Sequence, residues 1–246
     1  MQSSIEEKRF SRQTILPEVG HEGQKKLADA KVFVLGSGGL ASAAAFYLTA
    51  AGVGKIGIAD DDRVDISNLN RQILHDTSRI GILKVDSAKK SLQALYPELE
   101  IETFPRRIDA SREIMEILSG YDLVIDCTDN FAARYRINTA CLQMGKPWIY
   151  GAVLGFEGQV MTVVPGKGPC YQCLYPSGRA DAPAVAAVMG VSAGVIGVLQ
   201  AAEAIKCILK KGTLLLGKML FVDLMEMNFS EFRITRNSNC PACGAL

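Results

Sequence analysis

Gly36, Gly38 and Gly39 stand between a short apolar β-branched run, Lys31–Leu35, and an Ala-rich stretch, Leu40–Ala51. That arrangement predicts a buried strand, a tight turn and a helix. Gly36 would let the chain turn sharply. Gly38 would keep any Cβ out of the space between backbone and a phosphate. Ala41 would take the third small position, where the helix packs against the strand. The N–H groups at the start of such a helix point at an anion. Lys55–Asp60 reads as the next parallel strand, and Asp60 at its tip is placed to accept both ribose hydroxyls. This βαβ unit predicts an adenosine nucleotide without saying which one, and a glycine turn alone would favour NAD.

Two cysteine pairs, Cys170/Cys173 and Cys240/Cys243, each have knuckle spacing. Together they offer four thiolates, a tetrahedral site of the structural zinc type. One pair alone would equally suit a redox dithiol. The 66 residues between Cys173 and Cys240 are unusual for a zinc ribbon. A metal there would staple the last strands back to the loop after Val164. Cys127, Cys141 and Cys207 are expected to be buried spectators.

The rest of the chain supplies the frame for these groups. Ile5–Asp29 reads as short helices and carries Arg9 and Arg12, three apart on one helical face. Beyond Asp60 lie Asp61 and Asp62, then Ser67, Asn68, Leu69, Asn70, Arg71 and Gln72. This segment falls at the carboxyl edge of the sheet, where open α/β sheets bind ligands. Lys84 opens a helix running to about Tyr96. Further strands are expected at Ile101–Phe104, Tyr121–Asp126 and Trp148–Val153, and helices at Arg112–Leu118 and up to Met144. Asp129 and Asn130 follow the fourth strand and so share the edge with Gly38 and Asp60. Gly158–Val164 is expected to break the parallel pattern, and Met219–Leu224 and Phe229–Thr235 to complete the sheet. The predicted fold is thus α/β, a Rossmann-like mixed sheet. It is mostly parallel with antiparallel C-terminal strands, has helices on both faces, and carries a four-cysteine zinc knuckle pair.

Composition narrows the function. The chain has 246 residues, 48% hydrophobic and 22% charged, with a net charge of +1. No overall field draws it to nucleic acid or membrane, so any phosphate site is local. The polar stretch from Met1 to Arg12 is no signal peptide. Seven cysteines without an export signal predict a reducing, cytoplasmic setting. Ala182–Ala202 is 21 residues without a charge, long enough to span a bilayer. Its Ala, Gly and Val content, Pro183, Ser192 and Gln200 favour a loop leading into a buried or interfacial helix.

Taken together, Arg9–Gln13, Gly36–Gly39, Asp60–Asp62, Ser67–Gln72, Lys84, Asp126–Asn130 and both cysteine pairs resemble the ThiF/MoeB/HesA family. These are the bacterial relatives of ubiquitin-activating enzymes. The resemblance runs from about Arg9 to Cys243 and implies a single adenylation domain over residues 1–246. Its parts would be a helical arm (1–30), a nucleotide-binding half (31–153) and a carrier-binding half with the zinc site (154–246). It implies an enzyme that uses ATP and Mg2+ to adenylate the C-terminal glycine of a small ubiquitin-like carrier ending in Gly-Gly. Gly36, Gly38 and Gly39 would lie against the nucleotide and Asp60 would hold the ribose. Asp62 and Ser67–Asn70 would line the nucleotide site. Asn68, Arg71 and Lys84 would face the phosphates. Asp129 would hold Mg2+ with Asn130 beside it. Arg12 would reach the phosphates of a neighbouring subunit, making the active unit a homodimer.

In many family members the loop after the first cysteine pair carries a further cysteine. Here Leu174–Val188 has none, and Pro183 falls near that place. A covalent thiol step is therefore not expected. No rhodanese-like stretch is expected, and sulfur is expected to come from another protein. Thiamine, molybdopterin and cysteine routes all share the scaffold. Competing readings are a relative acting on a tRNA base or peptide C-terminus, an NAD oxidoreductase, and a nucleotide-binding scaffold without chemistry. The absence of a basic stripe opposes the tRNA version. The oxidoreductase would leave Arg12, Arg71, Lys84 and the cysteine knuckles without a task, and the intact Arg71, Lys84 and Asp129 oppose the scaffold.

Overall fold

The computed structural model describes residues 2–108, 110–176 and 187–244. Two helices open the chain, α1 (Gln2–Thr14) and α2 (Gly20–Asp29). Then β1 (Lys31–Leu35), α3 (Gly39–Ala51) and β2 (Lys55–Ala59) form the βαβ unit, with α3 closed by left-handed Gly52. Next come α4 (Lys84–Leu95), β3 (Glu100–Phe104), α5 (Ser111–Leu118), β4 (Leu123–Asp126), α6 (Phe131–Met144) and β5 (Trp148–Leu154). The second half holds β6 (Glu157–Val163), the single turn α7 (Tyr171–Leu174), α8 (Gly190–Leu209), β7 (Lys218–Asp223) and β8 (Asn228–Arg233). Pro183 lies outside the described residues.

One eight-stranded sheet runs through the chain in the order β3-β2-β1-β4-β5-β6-β7-β8. The first five of these are parallel, and β6, β7 and β8 are antiparallel to their neighbours. The break falls at β6, as the half-buried pattern of that segment predicts. From β1 the chain winds outward to β2 and β3, then crosses back to β4 and β5. That reversal leaves a crevice at the carboxyl ends of β1 and β4, where Leu35 pairs with Asp126.

Alternation along β1 shows why the sheet needs helices on both faces. Val32 and Val34 enter one core, with Leu48, Leu92 and Ile196 from α3, α4 and α8. Phe33 and Leu35 enter the other, with Ile114, Leu118 and Ile137 from α5 and α6. Burying each large aliphatic side chain contributes about 1.5–3 kcal/mol, so both faces have to be covered.

Helix α8 is long and apolar enough to cross a membrane by length and composition. In the fold it packs on α3 and the sheet. A Cβ at Gly197 would lie 2.3 Å from the Leu40 carbonyl oxygen, so glycine sets how closely the two helices meet. Its buried polar residues are satisfied inside the protein. Gln200 Nε2 donates to the carbonyls of Asp126 (2.6 Å) and Ile149 (3.3 Å). Glu203 accepts from Thr162 Oγ1 (2.5 Å) and the Leu215 amide (2.8 Å). A helix whose polar groups bond to the sheet beneath it belongs to a protein core.

Candidate functional site

A cleft of about 850 Å3 opens at the topological reversal. It begins at the glycine turn. Gly36 has φ +98°, and a Cβ there would lie 2.6 Å from the Cys127 carbonyl oxygen. Only glycine therefore fits between β1 and the loop after β4. Beyond it, the first amides of α3 lack helical partners and face the cleft as anion donors.

Asp60 closes the turn from the side. Its Oδ2 accepts from the Ser37 amide at 2.7 Å and its Oδ1 from the Asp62 amide at 2.9 Å. Burial pushes its carboxyl above the usual range, while Lys84 and the two amides pull it back. The carboxylate is thus fixed in direction and retains lone pairs for ribose hydroxyls.

Lys84 and Arg71 supply positive charge. The Lys84 ammonium is buried and pairs with Asp62 at 2.6 Å. The Arg71 guanidinium donates to the Ser67 carbonyl (2.9 Å) and to Asn70 Oδ1 (3.0 Å). These bonds aim Arg71 without neutralising it. Also lining the cleft, Asp129 is exposed and its Oδ1 accepts from Asn130 Nδ2 at 3.3 Å. Asn130 also caps α6 by accepting from the Ala133 amide at 2.8 Å.

Gly36, Gly38, Gly39, Asp60, Asp62, Ser67, Arg71, Lys84, Asp129 and Asn130 therefore share one cleft wall or another, as their motifs predict. Asn68, Leu69 and Asn70 lie in the same segment but do not line the cleft. The Asn68 side chain instead accepts from the Asp65 amide at 3.3 Å, the return half of a capping box. Arg12 sits exposed in the last turn of α1, away from the cleft of its own chain. Its neighbour Arg9 is engaged, donating to the Leu95 carbonyl and lying over the Tyr96 ring.

The structure adds residues that the motif reading passed over. Arg134, on the first turns of α6, pairs with fully buried Asp126 at 3.3 Å. Burial pushes the Asp126 carboxyl up, against the pull of Arg134 and Thr128. Past Arg134, whose guanidinium lies over the Tyr150 ring, the cleft is lined by Tyr150, Gln159 and Tyr175, with Glu157 also on its wall. There Gln159 Oε1 accepts from both hydroxyls, at 3.2 and 2.5 Å. No spacing rule marks these residues, because β5, β6 and α7 meet only in the folded sheet. His75 lies in no motif, and it joins Ser87 Oγ (2.9 Å) to the Ser37 carbonyl (3.0 Å). Burial holds its pKa below the ordinary range, so at neutral pH it is an uncharged strut under the glycine turn.

The four cysteines of the two knuckles also converge. Their sulfurs all lie within 4.8 Å of one another, with Cys170 to Cys240 at 3.7 Å and Cys173 to Cys243 at 3.5 Å. All four are free thiols. Four sulfurs about 2.3 Å from a tetrahedral zinc stand about 3.8 Å apart, so the spacing fits that ion and far exceeds a disulfide bond.

Comparison with known proteins agrees with this geometry. The ThiF family is matched over residues 10–242. The chain is 45% identical over 245 residues to a sulfur carrier protein adenylyltransferase of Thermus thermophilus, covering 96% of this chain and 90% of that one. It is 42% identical over 240 residues to the SAMP-activating enzyme E1 of Haloferax volcanii, covering 96% and 88%. Escherichia coli MccB, crystallised with AMPCPP and selenomethionine MccA, superposes with a TM-score of 0.79 at 26% identity, covering 90% of this chain and 69% of that one. The chain belongs to the ThiF family and is an adenylyltransferase of the ubiquitin-activating-enzyme-like superfamily.

Proposed function

We propose that this enzyme adenylates the C-terminal glycine carboxylate of a small ubiquitin-like sulfur carrier, taking ATP and releasing pyrophosphate. The observation that carries the reading is the continuity of the cleft. One end gathers Asp60, Arg71, Lys84 and Asp129 around the glycine turn, and the same cleft runs on along Tyr150, Gln159 and Tyr175, which leaves room for an extended polypeptide tail. The similar proteins of Thermus and Haloferax, named for carrier and SAMP activation, support the same acceptor class.

A carboxylate is already a nucleophile and needs no general base. Its oxygen bonds to the α-phosphorus as the bond to the bridging oxygen breaks, and the electron pair leaves with pyrophosphate. The protein has to align the two reactants and offset charge on the leaving group. In this reading the α3 amides and Gly38 seat the phosphates, Asp60 orients the ribose, and Arg71 and Lys84 face the leaving group. Asp129 would hold Mg2+. The bound ion would supply further neutralisation of the pyrophosphate. Arg12 would act on the site of a partner subunit in a homodimer, which agrees with its exposure outside its own cleft. The cysteine cluster would hold a structural zinc, and a cytoplasmic setting is part of the same reading.

ATP–pyrophosphate exchange with small proteins ending in Gly-Gly tests the proposal. Exchange should require the carrier's terminal carboxylate, and Lys84→Ala should lower it by about 10²–10³-fold. Exchange unaffected by removing that Gly-Gly end, or nicotinamide reduction in its place, would overturn the reading.

The cysteine-free stretch Leu174–Val188 yields a further expected result. The buried thiols of Cys127 and Cys141 and the half-buried thiol of Cys207 are all held above the ordinary range by desolvation, which disfavours the nucleophilic thiolate. Enzyme, ATP and carrier should therefore form no reducible covalent adduct on gel electrophoresis. A thiol-sensitive band lost on replacing one of these cysteines would contradict this.

A further inference from the structure

The loop carrying Asp129 is tied down by its neighbours rather than by Asp129 itself. Asp126 Oδ1 accepts from the Thr128 amide (2.9 Å) and from Thr128 Oγ1 (2.6 Å). Arg134 Nε donates to Asp126 Oδ2 (3.3 Å), and Arg134 Nη2 donates to the Thr128 carbonyl (2.7 Å). One guanidinium thus grips both ends of the Asp126–Thr128 turn, immediately before Asp129. From below, Gln200 Nε2 holds the Asp126 carbonyl at 2.6 Å. Arg134 also lies over the rings of Tyr150 (5.3 Å) and Phe131 (6.0 Å).

Such a pair is costly to bury, and an apolar pair of the same volume often serves stability as well. The Arg134 side chain is 9% exposed and that of Asp126 is fully buried. Stability is therefore a poor account of the pair. Its geometry accounts for it better, since a bidentate, planar donor fixes a turn in a way that no apolar side chain does.

We propose that Arg134 is the positioning residue that fixes the cation-holding geometry of Asp129, acting through Asp126 and Thr128. The inference rests on the reading of Asp129 as the Mg2+ holder. Groups outside a metal's own ligands set its affinity by orienting those ligands, and removing one typically weakens binding about 10–100-fold. The loss here is then one of metal affinity, which excess metal overcomes. An arginine acting directly on the reactants would lower the rate at any metal concentration.

The test measures two quantities in wild type, Arg134→Met, Arg134→Lys, Thr128→Val and Asp129→Asn. One is the half-saturating Mg2+ for ATP–pyrophosphate exchange at saturating ATP. The other is Mn2+ affinity of the protein–AMPCPP complex by electron paramagnetic resonance, which reads binding without turnover because the α,β-bridge of that analogue is not cleaved. Arg134→Met should weaken both by about tenfold or more, with raised Mg2+ recovering most of the rate. Arg134→Lys should fall between it and wild type. Thr128→Val leaves the buried charge pair intact, so it decides the matter if Arg134→Met fails to fold. It should shift metal affinity in the same direction by a smaller factor. Unchanged metal affinity in folded Arg134 and Thr128 variants, with Asp129→Asn clearly weakened, overturns the clamp alone. Unchanged affinity in Asp129→Asn overturns the reading of Asp129 and the clamp with it.

Discussion

Arg12→Ala and Asp129→Ala should each abolish adenylation when assayed alone, and a mixture of the two inactive proteins should regain activity. The expectation starts from where the two residues lie. Asp129 lines the cleft of its own chain, whereas Arg12 is exposed on α1 and does not. If Arg12 serves a partner's cleft, the two lesions fall in different half-sites of the same chain. Arginines delivered across an interface to phosphoryl groups are worth about 10³-fold or more in rate, so each single lesion is expected to be severe. Random exchange between equal amounts puts about half of the dimers in the mixed form, each with one intact site of two, which predicts recovery of roughly a quarter of wild-type activity. The replaced side chains are exposed, so both variants should keep the wild-type melting temperature. Subunit exchange is followed by mass spectrometry on differently tagged chains. Demonstrated exchange with a dead mixture would show that Arg12 acts within its own chain or not at all.

The second large effect concerns the cysteine cluster. Purified protein should carry about one zinc per chain by elemental analysis. The four thiols join α7 to the segment after β8, elements 70 residues apart in sequence. Within that segment Arg236 donates to the Cys243 carbonyl at 2.6 Å, and at its start the Ile234 amide donates to the Gly217 carbonyl at 2.9 Å. Structural zinc contributes on the order of 10 kcal/mol in peptides that fold around it. A sheet with two cores of its own depends on the ion less completely. Cys240→Ser, or removal of the metal by a chelator, should lower the melting temperature by about 10 °C or more, taking about 2–4 °C per kcal/mol for a chain of this length. Nucleotide affinity measured well below the transition should be retained, because the cysteines lie outside the cleft. Protein free of zinc, with Cys240 and Cys243 joined as a disulfide, would refute this expectation.

Much of this molecule was legible in its residues because the relevant physics is local. A β-branched apolar run, three small residues and an Ala-rich run make a strand, a turn and a helix wherever they occur. A parallel strand ends at the functional edge, so Asp60 and Asp129, each placed after such a run, reach the same cleft without further information. Cysteine spacing pointed to a cluster of four thiols in the same way, since two residues between thiols is the reach of one knuckle.

Partnerships between residues far apart were decided by the fold. Asn68 stands in a motif with Arg71, yet its side chain caps a short turn, because an amide near a helix start satisfies backbone groups first. Arg134 reads as an ordinary helical arginine until β4 and α6 bring it against Asp126. Gln200 looks like an interruption of an apolar helix until α8 lies across the sheet, 74 residues from the Asp126 carbonyl it holds. The order of the antiparallel strands likewise places Gln159 between Tyr150 and Tyr175. By itself the sequence determined the βαβ unit, the mixed sheet and the residues that meet around the glycine turn, since each depends on backbone geometry over a few residues. Tertiary structure decided which buried polar groups pair and where the cleft runs beyond Arg134. Those choices depend on which strands become neighbours, and a buried polar group takes whatever partner the packed core leaves within reach.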